Sequence, residues 1–301
     1  MQGLNGINRS RLEEYLESLG DAPLCFKPNP GNAGDSTLTH ATFQLLHKLG
    51  KHFRLFGRRS YRPGRSILVY AGGGNLTYYD HARKFILKHH RSAQRLVILP
   101  HTICHNEPLL GELGSNVDLI CREEISFDHV RKHARRANVL LMEDVAFHLD
   151  VRDTLDTDTD RLLPKLLSRH LLETPLRNAG RLLLSVTARG HRQAANEDGG
   201  ILNCFRTDIE KSSIEIPRDN IDLSVRFAFG THDEAVCRYA SALVFRFINR
   251  FDEIRTNRLH IAIAGALLGK KVRFHSNSYY KCKAVYDYSM KHRFPNVEWM
   301  G

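Results

Sequence analysis

Apolar residues recur along this chain with two different periods. Leu12, Leu16 and Leu19 fall at i, i+4 and i+7, which predicts an amphipathic helix over residues 9–20 that Gly20 ends. Short, mostly apolar runs follow at Leu24-Cys25-Phe26, Ile67–Ala71, Leu96–Pro100, Val117–Cys121 and Val139–Met142. Between them the helical period returns, through Leu38, Ala41, Leu45, Leu46 and Leu49 up to Gly50, then around Tyr79–His89 and over Ile125–Ala134. Apolar strands alternating with helices, with glycine-rich turns at the strands' carboxyl ends, predict a parallel α/β sheet. Ligands bind such sheets at the carboxyl ends of the strands. Gly31–Asp35, Gly72–Asn75, His101 and Arg122 all fall there.

The pattern breaks at residues 150–165, where Asp and Thr alternate with no apolar period. A metal-binding Asp-x-Asp of a nucleotide-sugar enzyme would need a hydrophobic strand just before it, and the nearest ends at Met142. The stretch reads instead as a solvated linker. A second alternation follows: strands at 182–186, 202–206, 253–256 and 271–274, a helix over Asp233–Asn249 and a last helix over Tyr280–His292. Residues 187–200 match no pattern and read as a loop. The chain therefore divides into a Rossmann-like lobe at 1–150, an acidic linker at 151–165 and a second Rossmann-like lobe at 166–301, whose last helix is placed to cross back.

At 301 residues, 42% hydrophobic and 26% charged, the composition is that of an ordinary globular protein. The run Ile261–Leu268 is too short to span a membrane, and the start lacks the pattern of a secretory leader. The six cysteines are scattered without a Cys-x-x-Cys pair, which points to reduced, buried thiols in the cytoplasm. A formal charge of +11 favours an acidic partner: a phosphorylated substrate, an anionic membrane surface or nucleic acid. Nucleic-acid binding would need basic residues interleaved with exposed aromatics, and Lys51–Arg59 is the one segment of that kind. It reads as packing its Phe residues inward, or as lying on an anionic membrane.

Candidate chemistry concentrates at Thr256-Asn257-Arg258-Leu259-His260, which opens the apolar stretch Ile261–Gly269. Thr256 or Asn257 can cap a helix there. A helix N-terminus carries partial positive charge and free amides, and Arg258 and His260 add a guanidinium and an imidazole. The combination suits a small, multiply charged anion. Gly31–Thr37 is a second such turn. Each feature also has a bland reading. A histidine at a helix start can simply cap it, the glycines can relieve sterics, and Arg122 beside Glu123-Glu124 can be a surface ion pair. The seventeen histidines are read as lacking the His-x3-His or His-Glu-x-x-His spacing of a metal site, and no metal is expected.

Taken together, these turns resemble the polysaccharide pyruvyl transferase family. The matching elements are Gly31-Asn32-x-Gly34-Asp35, Gly72-Gly73-Gly74-Asn75, Leu99-Pro100-His101-Thr102 and Arg122-Glu123-Glu124-x-Ser126. Asp144-Val145-Ala146-Phe147, Phe205-Arg206-x-Asp208, Arg258-Leu259-His260 and Tyr280-Lys281 follow in order, so the resemblance covers roughly residues 24–290. It implies two lobes like those of glycosyltransferase-B enzymes. It also implies transfer of pyruvate from phosphoenolpyruvate onto two hydroxyls of a sugar or lipid-linked oligosaccharide, with no further cofactor. On that reading Arg258, Leu259, Arg122, Asn32, Gly34, Asn75 and Lys281 bind the donor, and His260, His101 and Asp35 are the candidate acids and bases. A nucleotide-sugar glycosyltransferase of the same architecture is the nearest rival, and a basic nucleic-acid-binding module a more distant one.

Overall fold

The computed structural model describes residues 10–57, 61, 64–163 and 200–301. Helix α1 (Arg11–Ser18) starts on a reciprocal cap between Ser10 and Glu13 and buries Leu12, Leu16 and Leu19, as their spacing predicts. Gly20 then turns the chain at φ +66°.

The first sheet holds β1 (Leu24–Lys27), β2 (Phe53–Leu55), β3 (Ile67–Tyr70), β4 (Gly73–Leu76), β5 (Leu96–Ile103), β6 (Val117–Cys121) and β7 (Asn138–Leu141). They run parallel in the order β2-β1-β3-β5-β6-β7, Rossmann-like, with β4 also paired to β5. Helices α2 (Ala33–Lys48), α3 (His81–His89), α4 (Glu107–Glu112) and α5 (Glu124–His133) connect them. The Gly72–Asn75 stretch, expected as a turn, is largely strand. The chain jogs after β3 and resumes as β4 along the second half of β5, Gly73 opposite His101 and Leu76 opposite Ile103. Glycine permits the jog: a Cβ on Gly72 would lie 2.6 Å from the Pro100 carbonyl oxygen, and Gly73 sits at φ +139°.

The second sheet is also parallel, in the order β11-β10-β9-β8: β8 (Ile201–Cys204), β9 (Glu253–Thr256), β10 (Lys271–Phe274) and β11 (Val297–Trp299). Between the sheets the chain forms α6 (Val151–Leu155); α7 (Leu223–Arg226), α8 (Glu234–Asn249), α9 (Leu259–Leu267) and α10 (Lys281–Val285) connect the strands of the second sheet. The expected last helix is therefore shorter, and continues as a π-turn over Tyr286–Met290. Its start reaches the first sheet. The Tyr280 hydroxyl donates to the Ile103 carbonyl at 3.3 Å, and the Tyr279 ring meets Tyr78 edge-on at 5.4 Å. The strand expected at 182–186 and all but the last residue of the loop at 187–200 lie outside the described residues.

One core runs through both sheets. Leu38 and Phe43 of α2, Val236, Tyr239 and Phe245 of α8 and Ile263 of α9 belong to the same buried cluster. The opposite face of the first sheet has its own cluster, with Leu68, Ile98 and Leu119 under Phe85, Ile86 and Leu109. The division at the linker is thus one of sheets, not of cores. The linker itself is not unstructured. Asp150 caps α6, residues 159–163 are helical again, and α8 grips the segment through two arginines. Arg238 reaches Asp153 at 2.7 Å and Thr157 at 3.0 Å, and Arg246 reaches Thr159 at 2.9 Å and the Leu155 carbonyl at 2.8 Å. The Asp/Thr alternation supplies counter-charges and acceptors to these arginines.

Two other expectations meet the structure here. None of the six cysteines is in a disulfide; five are buried and Cys104 is half-buried. Phe53 stacks on Phe43 at 5.6 Å and Phe56 packs edge-on to Phe85 at 5.1 Å, so the basic segment turns its aromatics inward. Lys51 ties down α1, donating to the carbonyls of Glu17 and Gly20, while Arg58 and Arg59 lie outside the described residues. Among the described residues no helix is long and apolar enough to cross a membrane.

His40, on α2, is 2% exposed and neither ring nitrogen has a hydrogen-bond partner. Burial, and then Arg238, pull its pKa down to about 4. The unfolded chain therefore takes up a proton near pH 6.5 that the folded chain refuses until about pH 4. Stability is expected to fall as pH drops through that window, by roughly 3 kcal/mol from this residue. His40→Leu sacrifices no hydrogen bond and is expected to shift acid unfolding to lower pH while leaving the melting temperature at pH 7 little changed. Parallel melts at pH 5 and pH 7 check this; an equal acid sensitivity in the variant would exclude His40 as its source.

Candidate functional site

The carboxyl ends of both sheets open on one cavity of about 290 Å³. From the first sheet come Asn29–Asn32 after β1, Gly74 and Asn75 of β4, and Arg122 after β6. From the second come Arg206 after β8, Arg258–His260 after β9, and Lys281 at the start of α10. The chain order of the first sheet reverses between β1 and β3, so the cavity sits at its topological switch point. Asp35, Asn32, Asn75, Arg122, Arg258, Leu259, His260 and Lys281, named from sequence, all line it.

Arg206, Arg258 and Lys281 share a set of carboxylates. Arg206 forks onto Asp208, Nε to Oδ1 at 2.8 Å and Nη2 to Oδ2 at 3.1 Å, and also pairs with Glu210. Lys281 Nζ lies 2.7 Å from Glu210 Oε2. Arg258 Nη2 lies 3.0 Å from Asp208 Oδ2 and also pairs with Asp222, whereas its Nε is buried without a hydrogen-bond partner. Burial would raise the pKa of Asp208, but Arg206 and Arg258 hold it down to about 2. Burial lowers that of Lys281, with Glu210 opposing. The lining thus carries three arginines and a lysine, each already paired with a carboxylate of the chain.

His260 stands in the first turn of α9. Arg258 is itself the N-cap of that helix and no side chain caps it. The two caps expected from sequence serve elsewhere: Thr256 Oγ1 accepts from the Arg258 amide at 3.0 Å, and Asn257 Oδ1 from the Arg206 amide at 2.8 Å. The first amides of α9, including that of Leu259, are left for a ligand. His260 Nε2 is buried, lacks a hydrogen-bond partner and lies 3.7 Å from Asp144 Oδ2, an ion-pair distance too long for a hydrogen bond. Asp144 also takes Arg122 Nη1 at 2.6 Å. Burial would raise its pKa, but Arg122 and His260 hold it well below the usual carboxylate range. Arg122 is 1% exposed and spends Nε on Thr102 at 2.8 Å, so it is no surface ion pair. Its Nη2 lies beside Gly74, where a Cβ would come within 3.2 Å.

The turn at Gly31–Thr37 does not keep its amides for an anion. Asn32 caps α2 by accepting from the Gly34 amide at 2.8 Å, and Asp35 closes the box by accepting from the Asn32 amide at 3.0 Å. The helix N-terminus is filled by the chain's own carboxylate. Asp35 also takes Asn29 Nδ2 at 3.0 Å, and burial raises its pKa against the pull of His260. Gly31 and Gly34 make room. A Cβ on Gly31 would fall 1.8 Å from Asp35 Oδ2, and one on Gly34 2.8 Å from His260 Nδ1.

His101 is not among the lining residues. It is fully buried behind Asn75, with Nε2 2.9 Å from Asn75 Oδ1 and 3.2 Å from the Asn75 amide. Burial, then Arg122, bring its pKa down to about 3, which keeps the ring neutral. Its part is to orient Asn75, whose Nδ2 also reaches the Tyr70 hydroxyl at 3.1 Å and pairs with Asn29. Four site residues carry no role in the sequence reading: Arg206, Asp208, Asp144 and Glu210. The first three stand inside the Phe205-Arg206-x-Asp208 and Asp144-Val145-Ala146-Phe147 motifs, so a signal was present. Glu210 had none.

Comparison with models of protein families and with curated proteins returns no match. Among solved structures, an uncharacterized protein from Klebsiella pneumoniae subsp. pneumoniae is similar, with a TM-score of 0.76 and 27% identity over 96% of this chain and 97% of that one. The likeness extends over both sheets and concerns the fold.

Proposed function

We propose that this chain is a phosphoenolpyruvate-dependent ketal pyruvyl transferase, built on a glycosyltransferase-B-like frame. The observation that carries the reading is the convergence of Arg122, Arg206, Arg258 and Lys281 on one small cavity, beside the uncapped start of α9. Phosphoenolpyruvate presents a phosphate and a carboxylate on a three-carbon frame, and guanidinium groups from two sheets suit two oxyanions at once. His260, with Asp144 behind it, is placed to manage the proton. In the reaction the C3 methylene takes a proton and C2 becomes oxocarbenium-like. One sugar hydroxyl adds to C2, the C2–O bond to phosphate breaks, and the second hydroxyl closes the ketal. Of the two hydroxyl protons released, one balances that taken by C3 and the other leaves with phosphate.

The cavity also speaks against the nearest rival. At about 290 Å³ it lies at the small end of ligand sites, and its lining is mostly polar, with Pro30, Leu259, Tyr79 and His81 the few aliphatic or aromatic residues. The inward-turned Phe53 and Phe56 leave the nucleic-acid reading without its aromatic face. The acceptor on this reading is a sugar or lipid-linked oligosaccharide, met in the cytoplasm or at the inner face of the membrane. Purified protein incubated with phosphoenolpyruvate and a panel of glycosides is expected to release phosphate and add the mass of pyruvate minus water to one of them. Release of a nucleoside diphosphate from a nucleotide sugar, with no dependence on phosphoenolpyruvate, would transfer the chain to the glycosyltransferases.

A further inference from the structure

We propose that Glu107, His129 and His133 bind one divalent transition-metal ion of the zinc class, at a site separate from the cavity. The expectation that no histidine pair has metal-site spacing does not hold, because His129 and His133 stand four residues apart on α5. One helical turn separates them on the same face, and their ring centroids are 4.9 Å apart. Glu107, in the first turn of α4, brings its Oε1 to 3.8 Å from His129 Nε2. One ligand atom from each of the three residues lies within 4.8 Å of the others. Bonds of ~2.0–2.2 Å to one ion then require only side-chain adjustment, chiefly of the exposed Glu107.

The turn that delivers Glu107 is unusual. His105 and Asn106 are consecutive non-glycine residues in the left-handed region, at φ 56° and 63°. Asn106 is held there by its Nδ2, which donates to the carbonyls of Cys104 at 2.9 Å and Leu76 at 3.3 Å. The His105 carbonyl faces His129 Nε2 at 2.8 Å, a hydrogen bond the ring must exchange for the metal. Two imidazoles and one carboxylate form a borderline donor set. It suits zinc, cobalt, nickel or copper over magnesium or calcium, and leaves a fourth position for water. None of the three ligands lines the cavity. The ion would clip the turn after β5 to α5, next to Tyr78, whose ring lies 6.1 Å from that of His105.

The test uses the untagged full chain, stripped with chelator and titrated with zinc alone by calorimetry, then with cobalt by visible absorption. Wild type is expected to take up one equivalent of zinc, to show cobalt bands of low coordination number and to melt at a higher temperature with zinc. His133→Gln and Glu107→Gln are each expected to lose all three responses while keeping the circular dichroism of the wild type. No zinc uptake by the wild type, or undiminished uptake by a folded His133→Gln or Glu107→Gln protein, overturns the site. Because Glu107 is exposed, its variant keeps the test decisive if His133→Gln fails to fold.

Discussion

Arg258→Lys is expected to raise the KM for phosphoenolpyruvate by roughly 10- to 100-fold, the equivalent of one charge-assisted hydrogen bond at ~1.5–3 kcal/mol. Arg258 commits Nη2 to Asp208 and Asp222 while Nε remains buried and unpartnered. The fork thus serves the protein on one side and is open on the other. A lysine keeps the charge the two carboxylates need, but its single ammonium cannot hold both of them and a ligand oxyanion. Methionine would be the wrong probe. Without the guanidinium, buried Asp222 would lose its ion-pair partner while Asp208 kept only Arg206, at a cost of about 3–5 kcal/mol that confounds folding with binding. Michaelis kinetics on Arg258→Lys, checked by circular dichroism, decide the matter. A KM within two-fold of wild type would leave Arg258 as a tie between β9 and the Asp208 and Asp222 loops, with no part in donor binding.

The elements legible in the sequence were those whose signal is local. Ile67–Tyr70 is a continuous apolar run and Val117–Cys121 one broken only by Asp118, because a parallel strand is covered on both faces, and both strands form as read. Phe53–Leu55 and Val297–Trp299 are three-residue edge strands with a charged residue in the middle, too short to show a period. The linker misled for a different reason. Its aspartates and threonines look solvated until Arg238 and Arg246, some eighty residues later, are folded onto them. Cap chemistry was visible at Asn32 and Asp35, but that the cap consumes the anion-ready amides follows only from Asp35 turning back on Asn32. Burial separated His260 from His101: one lines the cavity and the other, within β5, lies behind Asn75. The His129–His133 spacing was local and readable, but its third partner, Glu107, belongs to another helix.

His260→Gln is expected to lower kcat by roughly 10²–10⁴-fold, the loss typical of a missing acid–base group, with little change in the KM for phosphoenolpyruvate. Glutamine has comparable length and can still hydrogen-bond, but it carries no proton to give. The ring is fixed from both sides. Gly34 leaves only enough room for Nδ1, and Nε2 points toward Asp144 at 3.7 Å without bonding to it. Asp144 is held ionised by Arg122 well below the usual carboxylate range, so its charge stands behind the imidazole. The donor-binding charges sit on Arg122, Arg206, Arg258 and Lys281, none of which the substitution touches, so the expected loss falls on kcat. The limb of the pH–rate profile that reports the imidazole is expected to disappear with it. Turnover within a few-fold of wild type, on an unchanged pH profile, would take the proton away from His260. His101, buried and neutral behind Asn75, could not inherit it. Asp35 could, since it lines the cavity and burial raises its pKa against the pull of His260.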